Sequence, residues 1–441
     1  MMDVKVKRPL NELGAVELAH KIADGETTSE AVVRDCVSRI EARDDVVKAW
    51  VNFDAARALE QARSLDRGPQ RGPLHGVPIG VKDIIDTFDM PTEMGSPIYR
   101  GNRPPADAAC VALLRRAGAV ILGKTATCEF AGMAPAATTN PHNAAHTPGG
   151  SSSGSGAAVA DHMVPAALGT QTGGSVLRPS SYCGIFGYKP TYNSFNKEGV
   201  KSAAESIDTI GWLARSIEDI ALLTAVLRMQ RPQPVPAMSR APRIALCRTE
   251  MWDSAQPETR AAVEGAAAAL AKAGATVGEI ALPGEFDGLR RIARETINFY
   301  ERAAGMAYEW DHHREHLSAQ MSRYIESGQQ TSRDEYLEGL RRVERCRTLM
   351  PSVFADFDVL LAPCVQGEAP KGLASTGDGS MQAIWTALHV PTMTLPTHRG
   401  PNNLPVGIQL VGQRYDDDRL MAVARWSWDA IGSPDLIGCS P

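Results

Sequence analysis

Short apolar runs alternate with segments of helical spacing through the N-terminal part of this 441-residue chain, and this alternation limits the folds available to it. Strands are predicted at 48–53, 75–81, 119–122 and 164–168, and helices at 55–65, 108–117 and 157–163. Two amphipathic helices are predicted before them, within 11–45, separated near Gly25 and with Thr28 or Ser29 as the N-cap of the second. Such alternation predicts an α/β layered fold in which helices cover a sheet.

Composition excludes several classes of protein. The net charge of −5 argues against a broad basic surface for nucleic acid. No run approaches the ~18 apolar residues of a membrane helix, and the N-terminal segment lacks the apolar stretch of a secretory signal. The eight cysteines are scattered without a CxxC pair, which favours reduced, buried thiols over a disulfide framework or zinc site. We expect a cytoplasmic protein that binds neither nucleic acid nor membrane.

One lysine and two glycine-serine loops carry the chemistry. Lys82 directly follows the predicted strand at 75–81. The two loops are at 148–156 and 169–175. Glycine lets the main chain approach a ligand closely, and a serine hydroxyl can attack a substrate or relay a proton. A lysine can act as the base for a serine if burial removes its charge. The combination indicates acyl transfer at a carbonyl centre.

These segments resemble the amidase signature family, whose members hydrolyse amides with a serine–serine–lysine triad. Further similar motifs lie at 123–131, 138–143, 146–150, 178–191, 208–219, 358–363 and 404–412. The resemblance implies a single α/β domain over 1–441, with a mixed central sheet covered by helices on both faces. The catalytic motifs lie in 76–191. After a proline-rich connection at 229–242, a more helical stretch at about 243–350 is interpreted as an insertion, because the resemblance resumes beyond it.

The resemblance also assigns the triad. It implies that Ser175 is the nucleophile, Ser151 the bridging serine held by a cis peptide bond after Gly150, and Lys82 the base, without metal or cofactor. Thr172, Gly173 and Gly174 supply backbone N–H groups for an oxyanion hole just before the nucleophile.

Two polar residues near the nucleophile suggest how substrate is selected. Gln171 stands where many family members have aspartate, which removes a negative charge, and we assign it to substrate binding with Arg178. A guanidinium at Arg178 can bind a carboxylate through two hydrogen bonds; an ion pair with an acidic neighbour is an equally good interpretation. The predicted substrate is a small acidic amide. Ser153, at a position where glycine is common, is expected to be tolerated.

Three other motifs offer competing sites. Residues 150–154 satisfy GxSxG, which would make Ser152 the nucleophile with His389 or His398 as its base. The segment from Ser194 to Lys197 matches SxxK, but its usual partner motifs are absent. The third motif fits the HxxEH zinc pattern in a charged helical stretch, where a solvated face is the ordinary outcome, and leaves a role in substrate selection open. Its histidines are His312, His313 and His316.

Two functional alternatives to a free-standing amidase remain. Glutaminase subunits of transamidation complexes share these motifs and require a partner protein that receives ammonia. A non-catalytic scaffold that kept the fold is the other alternative, and the intact triad argues against it. A small-molecule amide is the expected partner, and a homodimer is one possible assembly.

Overall fold

Each strand predicted from an apolar run is present, most of them displaced slightly toward the C-terminus. The computed structural model describes residues 8–431. Within that range the strands are β1 (Trp50–Phe53), β2 (Pro78–Lys82), β3 (Val120–Thr125), β4 (Ala166–Gln171), β5 (Phe186–Lys189), β6 (Thr209–Ala214), β7 (Arg243–Leu246), β8 (Thr276–Glu279), β9 (Val359–Pro363), β10 (Thr392–Arg399) and β11 (Pro405–Val411).

The helices connect and cover these strands. The α-helices are α1 (Ala15–Ala23), α2 (Ser29–Val47), α3 (Ala55–Asp66), α4 (Ala109–Arg116), α5 (Ser153–Ala160), α6 (Leu177–Cys183), α7 (Ile217–Leu227), α8 (Pro257–Lys272), α9 (Leu289–Arg291), α10 (Phe299–Gly305), α11 (Ala307–His313), α12 (Ala319–Gln330), α13 (Arg333–Val353), α14 (Ser380–Ala387) and α15 (Asp417–Ile431). A π-helical segment, Ile292–Asn298, joins α9 to α10. Single 3₁₀ turns lie at Leu10–Glu12, Pro97–Tyr99, Glu129–Ala131, Trp252–Ser254, Gly284–Phe286 and Arg314–His316.

All eleven strands form one mixed sheet in the order β1-β3-β2-β4-β6-β5-β10-β11-β9-β7-β8. Strand β2 pairs in parallel with both β3 and β4, so the end of β2 that carries the predicted base lies between two neighbours of the same direction. Strands β5, β6, β10 and β11 pair antiparallel. The predicted α/β fold with a mixed sheet is confirmed.

Helices pack on both faces of this sheet. Along β3, Ile121 belongs to one core cluster, whereas Val120 and Leu122 belong to the other, because successive strand residues point to opposite faces. Helices α1, α4, α7, α8 and α15 contribute to the first cluster. Helices α2, α3 and α5 cover the opposite face near β3, and α9, α13 and α14 cover it near β9.

Two sequence-based boundaries change in the structure. Helix α5 begins at Ser153, inside the predicted glycine-serine loop and four positions before the predicted start. Its glycines permit close packing, since a Cβ on Gly154 would lie 2.1 Å from the carbonyl oxygen of Ala49. The more helical stretch at 243–350 also contains two strands, β7 and β8, which extend the central sheet beside β9. Thr28 is the N-cap of α2, as predicted.

None of the helices between residues 8 and 431 is long and apolar enough to cross a membrane.

Candidate active site

Lys82 is positioned by the strand that it ends. All five residues of β2 are buried between the flanking parallel strands. Lys82 therefore lies at the C-terminal end of a central strand without access to solvent. Its Nζ lies 2.8 Å from Ser151 Oγ and 2.7 Å from Thr170 Oγ1. A neutral amine can accept a proton from a hydroxyl at this distance, so the lysine and the bridging serine are placed for proton exchange.

The surroundings of Lys82 favour its neutral form. Desolvation is the largest cause and lowers its pKa to about 7. The next residue, Asp83, pairs instead with buried Lys124 at 3.3 Å. In the part of the chain that the structure describes, no carboxylate forms a salt bridge with Lys82. Burial therefore makes the neutral amine accessible near neutral pH.

Ser151 sits in a tightly packed loop. The Gly150–Ser151 peptide bond is cis, as the resemblance implied, and Gly149 before it has a φ of +86°. Glycine is required there, because a Cβ on Gly149 would lie 2.9 Å from Pro179 Cα. The Ser153 hydroxyl donates to the Gly149 carbonyl at 2.9 Å, so the serine that replaces a common glycine helps to hold the loop.

The predicted nucleophile lies in the turn between β4 and α6. Ser175 lines a cavity, and its carbonyl accepts a 3.3 Å hydrogen bond from the backbone N–H of Ser152, which ties this turn to the bridging loop. The structure thus brings all three assigned triad segments to one end of β2 and β4. The hydrogen bond between the Ser175 and Ser151 hydroxyls stays a prediction.

Gln171 has a different environment from the one predicted. It is fully buried, and its amide oxygen accepts from the backbone N–H groups of Val176 at 2.9 Å and Leu177 at 3.1 Å. Its amide nitrogen donates to Thr386 Oγ1 at 3.0 Å. Because both polar atoms are bound by the protein, these contacts replace the substrate-binding assignment with a positioning one: Gln171 caps α6 and fixes the nucleophile turn.

The predicted oxyanion hole also lines the cavity. Among the residues described, no acceptor pairs with the backbone N–H groups of Thr172, Gly173 and Gly174. The Thr172 hydroxyl donates to Asp208 Oδ1 at 2.5 Å, and Asp208 is itself held by the backbone N–H of Ala204 at 3.0 Å. Asp208 therefore helps to fix the position of Thr172 in the turn before Ser175. Its position in the sequence did not indicate this role.

The cavity beside Ser175 is strongly cationic. It has a volume of about 70 Å³, and its lining includes four arginines, Arg178, Arg290, Arg294 and Arg302, and no carboxylate. Arg178 and Arg302 are 1% and 2% exposed, yet within residues 8–431 neither forms a salt bridge. No motif in the sequence pointed to Arg302.

In the two buried arginines, Arg178 and Arg302, some N–H groups donate hydrogen bonds to the protein and others do not. Arg178 donates to the Gly150 carbonyl at 2.6 Å and to Thr376 Oγ1 at 3.1 Å. Arg302 donates to the Phe130 carbonyl at 2.9 Å. The Nε atom of each is buried without a hydrogen-bond partner, so both guanidinium groups retain capacity for an anionic ligand.

The competing motifs do not assemble into sites. The Ser152 hydroxyl donates to the Thr170 carbonyl at 3.3 Å, and His389 lies against the Ser206 carbonyl at 2.8 Å instead. Lys197 pairs with Glu205 at 3.0 Å. Within the described range, no group of three or more metal-ligating side chains is arranged to hold an ion. His312 and His313 contact Tyr308, and His316 Nε2 lies 3.5 Å from Glu315 Oε1.

Comparison with known proteins agrees with this arrangement. A family model described as Amidase matches residues 31–421. The chain belongs to the amidase family. It is therefore an enzyme of a family that hydrolyses amide C–N bonds, and its triad motifs are those typical of the family.

Individual amidase-family relatives differ in what they act on. The chain is 32% identical to one subunit of the glutamyl-tRNA(Gln) amidotransferase of Lachnospira eligens, over 92% of this chain and 96% of that protein. It is also 32% identical to 2-amino-5-chloromuconic acid deaminase of Comamonas testosteroni, over 97% and 96%. The solved peptide amidase of Stenotrophomonas maltophilia superimposes with a TM-score of 0.80 at 27% identity, over 96% and 98%.

The pH dependence of turnover is the first test of the site. Because the base must be neutral and burial lowers the pKa of Lys82 to about 7, kcat/KM is expected to rise with pH through about 7. Below that pH it should fall roughly tenfold per unit. The measurement is ammonia release from pH 5 to 9. Returning each sample to pH 8 distinguishes titration from unfolding, and a rate that stays flat down to pH 5 contradicts this assignment.

Proposed function

We propose that this chain is an amidohydrolase that cleaves small amides carrying a carboxylate. The observation that carries the proposal is the pair of buried arginines beside Ser175, Arg178 and Arg302, neither of which has a carboxylate partner among the described residues. Removing a charged group from water costs several kcal/mol unless a partner compensates it. A substrate carboxylate supplies that partner.

In the proposed mechanism, Ser175 Oγ attacks the amide carbonyl carbon. Its proton passes to the Ser151 hydroxyl as the Ser151 proton moves to Lys82 Nζ. The resulting oxyanion accepts hydrogen bonds from the backbone N–H groups before Ser175. The C–N bond then breaks as Lys82 returns a proton, through Ser151, to the leaving nitrogen.

Hydrolysis of the acyl-enzyme completes the reaction. Water attacks the Ser175 ester and gives a proton through Ser151 to Lys82. The C–O bond to Ser175 then breaks as Lys82 returns that proton, through Ser151, to Ser175 Oγ. The products are the carboxylic acid and ammonia, or an amine where the amide is substituted. No metal or cofactor takes part in these proposed steps.

A second candidate is a glutaminase that passes ammonia to a partner protein within a transamidation complex. The similarity to the glutamyl-tRNA(Gln) amidotransferase of Lachnospira eligens favours it, and the cavity would then hold the amide of glutamine. Ammonia release by the purified chain alone, at full rate and without stimulation by a partner, supports the free-standing amidase instead.

The proposed location is the cytoplasm. The seven cysteines within the described range are all buried, which suits a reducing compartment. A homodimer stays a proposal, and measurement of solution mass tests it.

Binding of the substrate carboxylate by Arg302 is tested with two matched substrates, succinamate and neutral butyramide. Arg302→Gln is expected to lower kcat/KM for succinamate by about 100-fold, because a buried charge-assisted contact is lost. The effect on butyramide should be several-fold smaller. Kinetic measurement of ammonia release on both substrates gives the comparison.

Two further variants interpret that result. Arg178→Gln should impair both substrates, because Arg178 also holds the Gly150 carbonyl of the bridging loop. Exposed Arg323 on α12 is the matched control, and Arg323→Gln should leave both rates near native. If Arg302→Gln lowered kcat/KM equally for the two substrates, or for neither, Arg302 would not bind the substrate carboxylate.

A further inference from the structure

A row of polar side chains spaced by four runs along the helical segment 289–305 and lines the cavity. Its members, which we call the arginine row, are Arg290, Arg294, Asn298 and Arg302. In an α-helix, four-residue spacing drifts by ~40° per step around the axis. The π-helical segment Ile292–Asn298 has wider turns, which counteract this drift and keep the row facing one cavity. Such π-helical segments are frequent at functional sites.

The row has an inner and an outer end. Arg302 is the buried inner end, whereas Arg290 and Arg294 are half-buried at the outer end. With a rise of ~1.5 Å per residue, Arg294 and Arg302 attach to the helix about 12 Å apart. One small carboxylate has about four acceptor positions, so a carboxylate bound by Arg178 and Arg302 leaves most of the donors of the four arginines unused.

The outer arginines are only weakly neutralised by the protein. Arg290 Nε lies 3.8 Å from Glu250 Oε1 in a partly exposed pair, and it has no hydrogen-bond partner. Arg294 has no ion pair with any residue in the described range. Between the two ends, Asn298 Oδ1 is buried without a partner. The cavity thus keeps two cationic regions and an unused acceptor between them.

We propose that Arg290 and Arg294 bind a second anionic group, so that the preferred substrate is an amide carrying two carboxylates. This rests on the proposed function. The inner carboxylate is bound by Arg178 and Arg302, and the outer one by the half-buried pair. Asn298 lines the part of the cavity between the two pairs of arginines.

The test compares three amides of increasing charge: butyramide, succinamate, and the terminal monoamide of propane-1,2,3-tricarboxylate. The native chain should favour the dianionic amide over succinamate by about tenfold or more in kcat/KM. Arg294→Gln should reduce that ratio by about threefold, chiefly through KM. Arg290→Gln combined with Arg294→Gln should abolish the preference, and Arg294→Lys should restore part of it.

Arg291 provides the matched control, because it is exposed and lines a separate surface groove. Arg291→Gln should keep the native ratio, and thermal unfolding verifies that every variant is folded. The inference is overturned if the native chain shows no preference for the dianion, or if Arg294→Gln lowers both acidic substrates equally. Turnover of succinamate that depends on Arg302 would then leave the proposed function standing. No advantage of either acid over butyramide would remove both.

Discussion

Replacing Lys82 with alanine is expected to lower kcat by about 10⁴-fold while the chain remains folded. In the proposed mechanism the amine accepts the Ser151 proton, since Lys82 Nζ lies 2.8 Å from Ser151 Oγ, and no other base contacts Ser151 among the described residues. Steady-state ammonia release gives the rate, and circular dichroism verifies the fold. Activity within tenfold of native at neutral pH would show that another group acts as the base.

The same lysine should also destabilise the protein. Its folded pKa of about 7 lies below its unfolded value of 10.5, so the unfolded state binds more protons between those values and stability rises with pH across that window. The penalty is fully present below pH 7, at about 5 kcal/mol. Lys82→Met should therefore be about 1–3 kcal/mol more stable at pH 7, after loss of two hydrogen bonds. Its advantage over the native chain should shrink as pH rises to 10.5.

Removing the nucleophile should have an effect as large as removing the base. Ser175→Ala is expected to lower kcat by roughly 10⁴–10⁶-fold, because no acyl-enzyme can form. It should also abolish covalent labelling by a fluorophosphonate probe. Mass spectrometry of the labelled native chain should place the adduct on Ser175.

Ser152→Ala is the matched control for this experiment. Ser152 is the nucleophile of the competing GxSxG motif, yet its hydroxyl donates to the Thr170 carbonyl. The variant should keep its labelling, with at most a modest loss of stability. An adduct on Ser152, or labelling that survives Ser175→Ala, would exclude Ser175 as the nucleophile.

The sequence predicted well which segments lie close to Lys82, because the signals in those segments are local. Lys82 follows an apolar strand, and the two serines lie in glycine-rich segments next to predicted elements, so strand pairing brings them together. The start of α5 was wrong because glycine and serine disfavour helix. Tertiary packing decides there, as Gly154 fits closely against the Ala49 carbonyl.

The residues that bind the proposed substrate gave no comparable signal. Arg302 lies far along the chain from Ser175, in a helix where polar residues spaced by four are ordinary for a solvated face. Asp208 was part of a recognised motif, but only the folded chain places it on Thr172. Gln171 was assigned to substrate because of its sequence position, and its burial under α6 became evident only from the packing.

The assigned catalytic residues and most of the cavity arginines come from different segments of the chain. This separation affects how the substrate specificity of the enzyme can evolve. The assigned reaction centre comes from residues 82–175, whereas three of the four cavity arginines come from one continuous helical segment at 289–305. Exchanging that segment for one with other side chains could redirect the enzyme to new amides and leave the bond-breaking apparatus untouched. The fold thus allows substrate specificity to diversify through replacement of one helical segment.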